Sequence, residues 1–333
     1  MVACAFATLT VPEIGTAGSL DAGVGNVGIS FGNSLVWTGL RFNFRDDGVQ
    51  RINGLNVTLW SSSENRRATM NGVLLGLHGF RARHANGIML GLFGHETGRF
   101  RGACIAGLRV DASRTVYRAL DPTASVGLGG ITLAGLSIAS ASLSGIAFAG
   151  LGISSTSTHG VVVSGLAMLS GDTRGVVVSG LLLGAGDVVG ITAAGLGVGT
   201  NDVLGAVVGG VGVSVHDLEG IALGGVGLGA SLLRGVAGAG VLAGAFEARG
   251  IVVAGVHSEL RTARGIVVSG VHAWSEFLHG VAVSPLNRVT GTMHGVQIGI
   301  VNYARNARGI QIGLVNVIEE SSLPFMPILN LRF

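Results

Sequence analysis

Asp172, Asp187, Asp202 and Asp217 recur at fifteen-residue intervals. Carboxylates stacked on successive turns of a repeat are the kind of oxygen donors a calcium ion takes. Each also follows Gly171, Gly186, Asn201 or His216, so each suits an Asx turn, and no calcium-loop motif accompanies them. The turn is the preferred reading. Arg234, Arg249, Arg264, His279, His294 and, after a shortened interval, Arg308 form a basic column that could grip an anionic polymer or a lipid headgroup. Like charges in a ladder repel, so a solvated or paired edge is the plainer expectation. His257 and His272 make a second stacked pair with Glu259 and Trp274 nearby. Two imidazoles lack the third ligand of a zinc site, and Trp274 beside His272 suits a carbohydrate-stacking patch better. Ser164, Ser179, Ser269 and Ser284 share one repeat position without the histidine and acid of a triad. Glycine pairs such as Gly209-Gly210 follow no strand-to-helix context, so the dinucleotide fingerprint fails. The expectation is no catalytic residue, no metal and no cofactor.

What positions these columns is a glycine period. From Gly130 the series runs at fifteen-residue steps through Gly145, Gly160 and Gly175 to Gly295, and a second glycine follows five residues later from Gly135 to Gly270. A fixed period of this kind marks a repeat architecture. Numbering the first glycine zero, offsets 1, 3, 6, 8 and 13 are predominantly Ile, Val, Leu or Ala. The apolar parity flips just after the second glycine, as a glycine corner would produce. β-Branched residues at offsets 1 to 3 favour strand over helix. Fifteen residues then divide into three short faces, and stacked coils give an all-β fold, a parallel β-solenoid with capped ends. The competing architecture is an antiparallel membrane β-barrel, which the apolar middle and terminal Phe333 would suit. Barrel strands alternate polar and apolar residues, whereas Gly175 to Val178 and Gly265 to Val268 are apolar on both sides.

The expected organisation is an N-terminal segment or cap over 1–38, irregular repeats over 39–129, regular repeats over 130–318 and a C-terminal cap over 319–333. The irregular part holds one insertion, because Gly102 and Gly130 lie 28 residues apart, which fits either a degenerate coil or a surface loop around Tyr117 to Thr123. Pro324 and Pro327 should stop the ladder and protect its edge. Met1 to Leu9 is apolar but lacks the basic region of a complete signal peptide.

Composition narrows function by exclusion. Of 333 residues 59 are glycine and only 12% are charged, which excludes a disordered chain. The 21 basic residues are all arginine, and the net charge of +3 is too dispersed to argue for nucleic acid. Val176 to Val198 is long and apolar enough for a membrane helix, but it keeps the glycine beat and contains Asp187. Cys4 and Cys104 form neither a metal spacing nor a disulfide framework.

If offsets 2, 4, 7 and 9 point outward, Val162, Val177, Val207, Val252 and Val267, with Gly197, Gly212 and Gly227, build a flat apolar face. A patch of that kind marks an interface. Self-association or docking on an envelope component is the expected partnership, and membrane contact is a further option. An ice-binding face would need threonine ranks, and only Thr132 and Thr192 fall at offset 2.

The last full coils read Gly-Val-Gln-Ile-Gly-Ile-Val-Asn-Tyr (Gly295 to Tyr303) and Gly-Ile-Gln-Ile-Gly-Leu-Val-Asn-Val (Gly309 to Val317). They resemble the G-x-Q-[IL]-G-L-x-N unit of a family of bacterial glycine-rich surface-repeat proteins. The resemblance extends to the proline-containing tail ending Asn330-Leu331-Arg332-Phe333, loosens over Gly130 to Arg264 and is partial at Gly54-Leu55-Asn56-Val57. It implies a cell-surface, outer-membrane or secreted location and a non-enzymatic, structural or adhesive role. A β-solenoid hydrolase acting on polysaccharide is the third class, with only the Asp172 column to offer as acids. From spacing alone, Asn302 and Asn316 share an inward slot where their amides could pair.

Overall fold

A computed structural model describes residues 18–61, 63–113 and 126–332, so Cys4, the segment Met1 to Leu9, the loop around Tyr117 to Thr123 and Phe333 lie outside the described residues. The chain forms two compact units, Met1–Gly171 and Asp172–Phe333. Each is a parallel β-solenoid built from coils of about fifteen residues, not a barrel. No helix among the described residues is long and apolar enough to cross a membrane.

In the first unit the antiparallel hairpin of Ser19–Val24 and Val27–Gly32 starts the stack. Parallel pairing then aligns Gly28 with Gly39, Gly39 with Gly54, Gly54 with Gly72, Gly72 with Gly87 and Gly87 with Gly102. The longer step from Gly54 to Gly72 is taken up by the 3₁₀ turn Ser63–Arg67. Gly102 pairs directly with Gly130, so the extra residues between them leave the glycine column unbroken. In the second unit the column runs from Gly175↔Gly190 to Gly295↔Gly309. Its last strand, Phe325–Arg332, departs from the expectation that the ladder stops at the prolines, because it adds one antiparallel rung to Val301–Ile318. Pro327 falls in the register irregularity between Gly313 and Asn316, where no ladder amide is needed.

The first corner requires glycine twice over. Gly220 has φ 140°, and a Cβ there would run into the Gly205 carbonyl oxygen of the coil above. L side chains avoid that backbone region, and nothing in so tight a stack can move aside.

The inward columns are offsets 2, 4, 8, 10 and 13. Val207, Val213 and Leu218 are buried, as are Ala222, Leu228 and Leu233 in the next coil. Val162, Val177, Val207, Val252 and Val267 therefore line the core and not an outer face, at 0–5% exposure. The parity change expected at the second glycine occurs elsewhere, between offsets 10 and 13. The first face points its even offsets inward, and the second corner spreads across offsets 5 to 7.

Polar residues also enter the core. In the second unit Asn287 donates to Asn302 Oδ1 at 2.8 Å, and Asn302 donates to Asn316 Oδ1 at 2.7 Å. Gln311 donates to Gln297 Oε1 at 2.7 Å. The inward Asn302 and Asn316 slot is as the spacing indicates, with both side chains fully buried.

Candidate interaction surface

Most of the apolar residues that this phase leaves outside in the regular coils lie in three columns. Offset 1 presents Ile131 and Ile146 in the first unit and Ile191, Ile221 and Ile251 in the second. Offset 3 presents Phe148 and, in the second unit, Val208, Leu223 and Val253; offset 6 presents Leu151 and, in the second unit, Leu196 and Val226. These side chains are 39–52% exposed. In the coils from Gly175 to Gly309 no charged residue occupies any of the three offsets. Coils spaced about 4.8 Å apart, each presenting about five residues at about 3.3 Å, make this face about 800 Å² in the second unit. The largest apolar patch on a typical monomer is about 300–600 Å².

One signal in the sequence could have found this face. The basic column sits two residues before the offset 1 column, with a corner glycine between them. Charged side chains are rarely buried unless paired, and Arg249 and Ile251 flank Gly250 on the same outward corner.

The basic column is assembled as expected: Arg234, Arg249, Arg264, His279, His294 and Arg308 are successive register partners. Arg249 pairs with Glu247 at 2.8 Å and Arg264 approaches the same carboxylate at 3.7 Å. The hydrogen bond from Arg249 holds the Glu247 carboxyl below its ordinary range. His279 and His294 stack with ring centroids 5.0 Å apart. Partial burial, then the neighbouring His294 and Arg264, lower the His279 pKa.

Asp172, Asp187 and Asp202 stand on an exposed column, with Asp217 half-exposed below them. No group of three metal-ligating side chains forms among the described residues. His257 and His272 stack at 4.9 Å, without a third ligand. Trp274 is half-buried between its register partners Glu259 and Arg288, so it offers no open platform. The serine column is structural: Ser179 Oγ donates to the Leu182 carbonyl at 2.7 Å, and Ser269 Oγ to Ser258 Oγ at 2.6 Å.

Gly197, Gly212 and Gly227 are the part of the expected interface that does reach the surface. They are half-exposed, and a Cβ on Gly227 would meet nothing within 4 Å. With Gly199, Val211, Val226 and the bounding Leu182 and Leu242 they floor a shallow depression of about 650 Å³ in the second unit.

The first unit has a more polar pocket of about 240 Å³, lined by His78, Phe80, Arg81, His95, Glu96 and Arg109. Its charges are mutually paired: Glu96 bridges Arg66 at 2.8 Å and Arg81 at 3.1 Å, and Arg109 meets Asp111 at 2.8 Å. Burial lowers the His95 pKa to about 4 and pushes the Cys104 thiol up to about 12. Neither group is poised for chemistry near neutral pH.

No protein-family model, no curated protein and no solved structure matches this chain.

Proposed function

We propose that the chain is a non-enzymatic, surface- or envelope-associated repeat protein that acts as a structural or adhesive scaffold through its flat apolar face. One observation carries this reading. Three outward columns are apolar in coil after coil, although nothing inside the fold needs them to be. Burying an outward Ile or Val that is about half exposed gains on the order of 1 kcal/mol. Repetition over many coils turns that small term into a strong attachment. The envelope location draws its support from the resemblance of the coils starting at Gly295 and Gly309 to surface-repeat proteins.

The test places carboxylates on the face. Ile221→Glu combined with Ile251→Glu should preserve the β-sheet circular dichroism spectrum, because both side chains point away from the core. The variant should lose at least about tenfold in association, whether with itself by sedimentation velocity or with isolated envelopes, since two desolvated charges each cost more than about 1.4 kcal/mol. Unchanged association by a folded variant would overturn the reading.

A further inference from the structure

We propose that the apolar face of the second unit seats on an anionic lipid surface, with the arginine column at its edge bound to headgroup phosphates. This rests on the reading of that face as the working surface. The face and the column are neighbours by construction. Arg234, Arg249, Arg264 and Arg308 each stand one residue before a corner glycine, and Val236, Ile251, Ile266 and Ile310 each stand one residue after it. Cation and apolar side chain therefore emerge on either side of the same corner, coil after coil. The arginines are exposed. Successive coils hold Arg234, Arg249 and Arg264 at a spacing of about 4.8 Å, and Arg308 follows after the His279 and His294 coils.

The chain neutralises this edge only in part. Glu247 engages Arg249 and Arg264. Arg234 and Arg308 have no carboxylate within ion-pairing distance among the described residues, and Glu219, the register partner of Arg234, makes no ion pair with it. His279 and His294 stand between Arg264 and Arg308 in this column, and partial burial, then the neighbouring His294 and Arg264, lower the His279 pKa. The edge thus carries four arginines against two carboxylates, Glu219 and Glu247.

An occupant must satisfy both features together. A second copy could cover the face, since about 800 Å² per partner is enough for a stable dimer. It would bring to the arginine edge either the Leu and Val column of its offset 6 or, with its coils reversed, Val189, Leu204 and Glu219, which offer a single carboxylate to the four arginines. A nucleic acid would take the charge and leave the apolar columns in water. An anionic bilayer offers phosphates at the level of the edge and acyl chains just beneath. Outward Ile and Val side chains reach the boundary between the two, as an interfacially bound amphipathic element does.

The experiment is flotation of the full chain with vesicles of phosphatidylglycerol and phosphatidylcholine in equal parts, beside vesicles of phosphatidylcholine alone. The expected result is binding to the anionic vesicles that weakens with added salt. Replacing Arg234, Arg249, Arg264 and Arg308 by Gln should reduce that affinity by about fivefold per arginine at low salt. Ile251→Glu with Ile266→Glu should abolish it. Equal binding to both vesicles, or binding indifferent to the four Arg→Gln changes, overturns the headgroup assignment. A wild-type chain that ignores vesicles but self-associates through a glutamate-sensitive face points to a second copy. That result sinks the lipid proposal while leaving the scaffold reading intact. A monomer that binds neither vesicles nor envelopes removes both.

Discussion

The coils around Arg41 and those around Asn302 bury polar side chains at inward positions, and they satisfy them in opposite ways. In the first unit Arg41 and Asp46 form an ion pair with both side chains fully buried. Arg41 Nη1 also donates to Asn56 Oδ1 at 2.8 Å, Nη2 to Asn33 Oδ1 at 3.0 Å, and Nε to the Ser34 carbonyl at 3.2 Å. Asp46 in turn accepts from Asn56 Nδ2 at 2.9 Å. Everything converges on one guanidinium. In the second unit neutral amides are shared along the stack, and each asparagine also donates to a corner carbonyl, Asn302 to Ile312 at 2.9 Å and Asn316 to Gly313 at 2.8 Å. A convergent charged knot depends on every member, whereas a ladder distributes its dependence along the stack.

The knot should break hardest. Asp46→Asn keeps the shape and removes the only carboxylate paired with Arg41 among the described residues. An uncompensated buried charge costs about 3–5 kcal/mol, visible as a lower midpoint in urea unfolding of the full chain. Replacing both residues together, Arg41→Met with Asp46→Leu, should recover most of that loss, because no charge is then left buried. A loss below about 1 kcal/mol for Asp46→Asn would show that water reaches Arg41, and the contrast between the two interiors would fall.

A single change in the ladder should hurt less. Asn302→Leu strips the donor from Asn316 Oδ1 and from the Ile312 carbonyl. Asn287 keeps the Ser284 and Ile298 carbonyls, each at 2.9 Å, as acceptors. The expected loss is about 1–3 kcal/mol, read in the same unfolding experiment. A loss equal to that of Asp46→Asn would mean that the ladder is as convergent as the knot.

Asn302 and Asn316 could be placed from spacing because a fixed offset in a periodic coil must face the same way in each turn. The fifteen-residue coils and the glycine corners were legible for the same reason. The phase of the first face was not. Val177 and Val178 are adjacent and chemically identical, yet one is in the core and the other is 39% exposed. Hydrophobicity cannot choose between them, and the outward Ile of offset 1 is often larger than the inward Ala or Thr of offset 2. Size and the neighbouring arginines held the answer: the small residues fill the narrow core, and Arg249 marks its corner as outside. Arg41 was opaque for a different reason. It lies among other arginines of the first unit, and only the position two residues after Gly39 marks it as inward.

The smallest expected effect separates glycines that the fold requires from those it does not. Gly227 has ordinary backbone angles and open space where its side chain would stand, unlike Gly220 at the corner. Gly227→Ala should therefore leave the unfolding midpoint within about 0.5 kcal/mol of the parent, the range of an unremarkable surface substitution. A measurable loss would show that the second face is packed more closely at Gly227 than its open surroundings indicate. If stability is unchanged but association weakens, the depression floored by Gly197, Gly212 and Gly227 is a second contact surface, because an added methyl acts only on something that approaches the backbone closely. If both are unchanged, these glycines serve neither folding nor contact, and the working surface narrows to the Ile, Val and Leu columns.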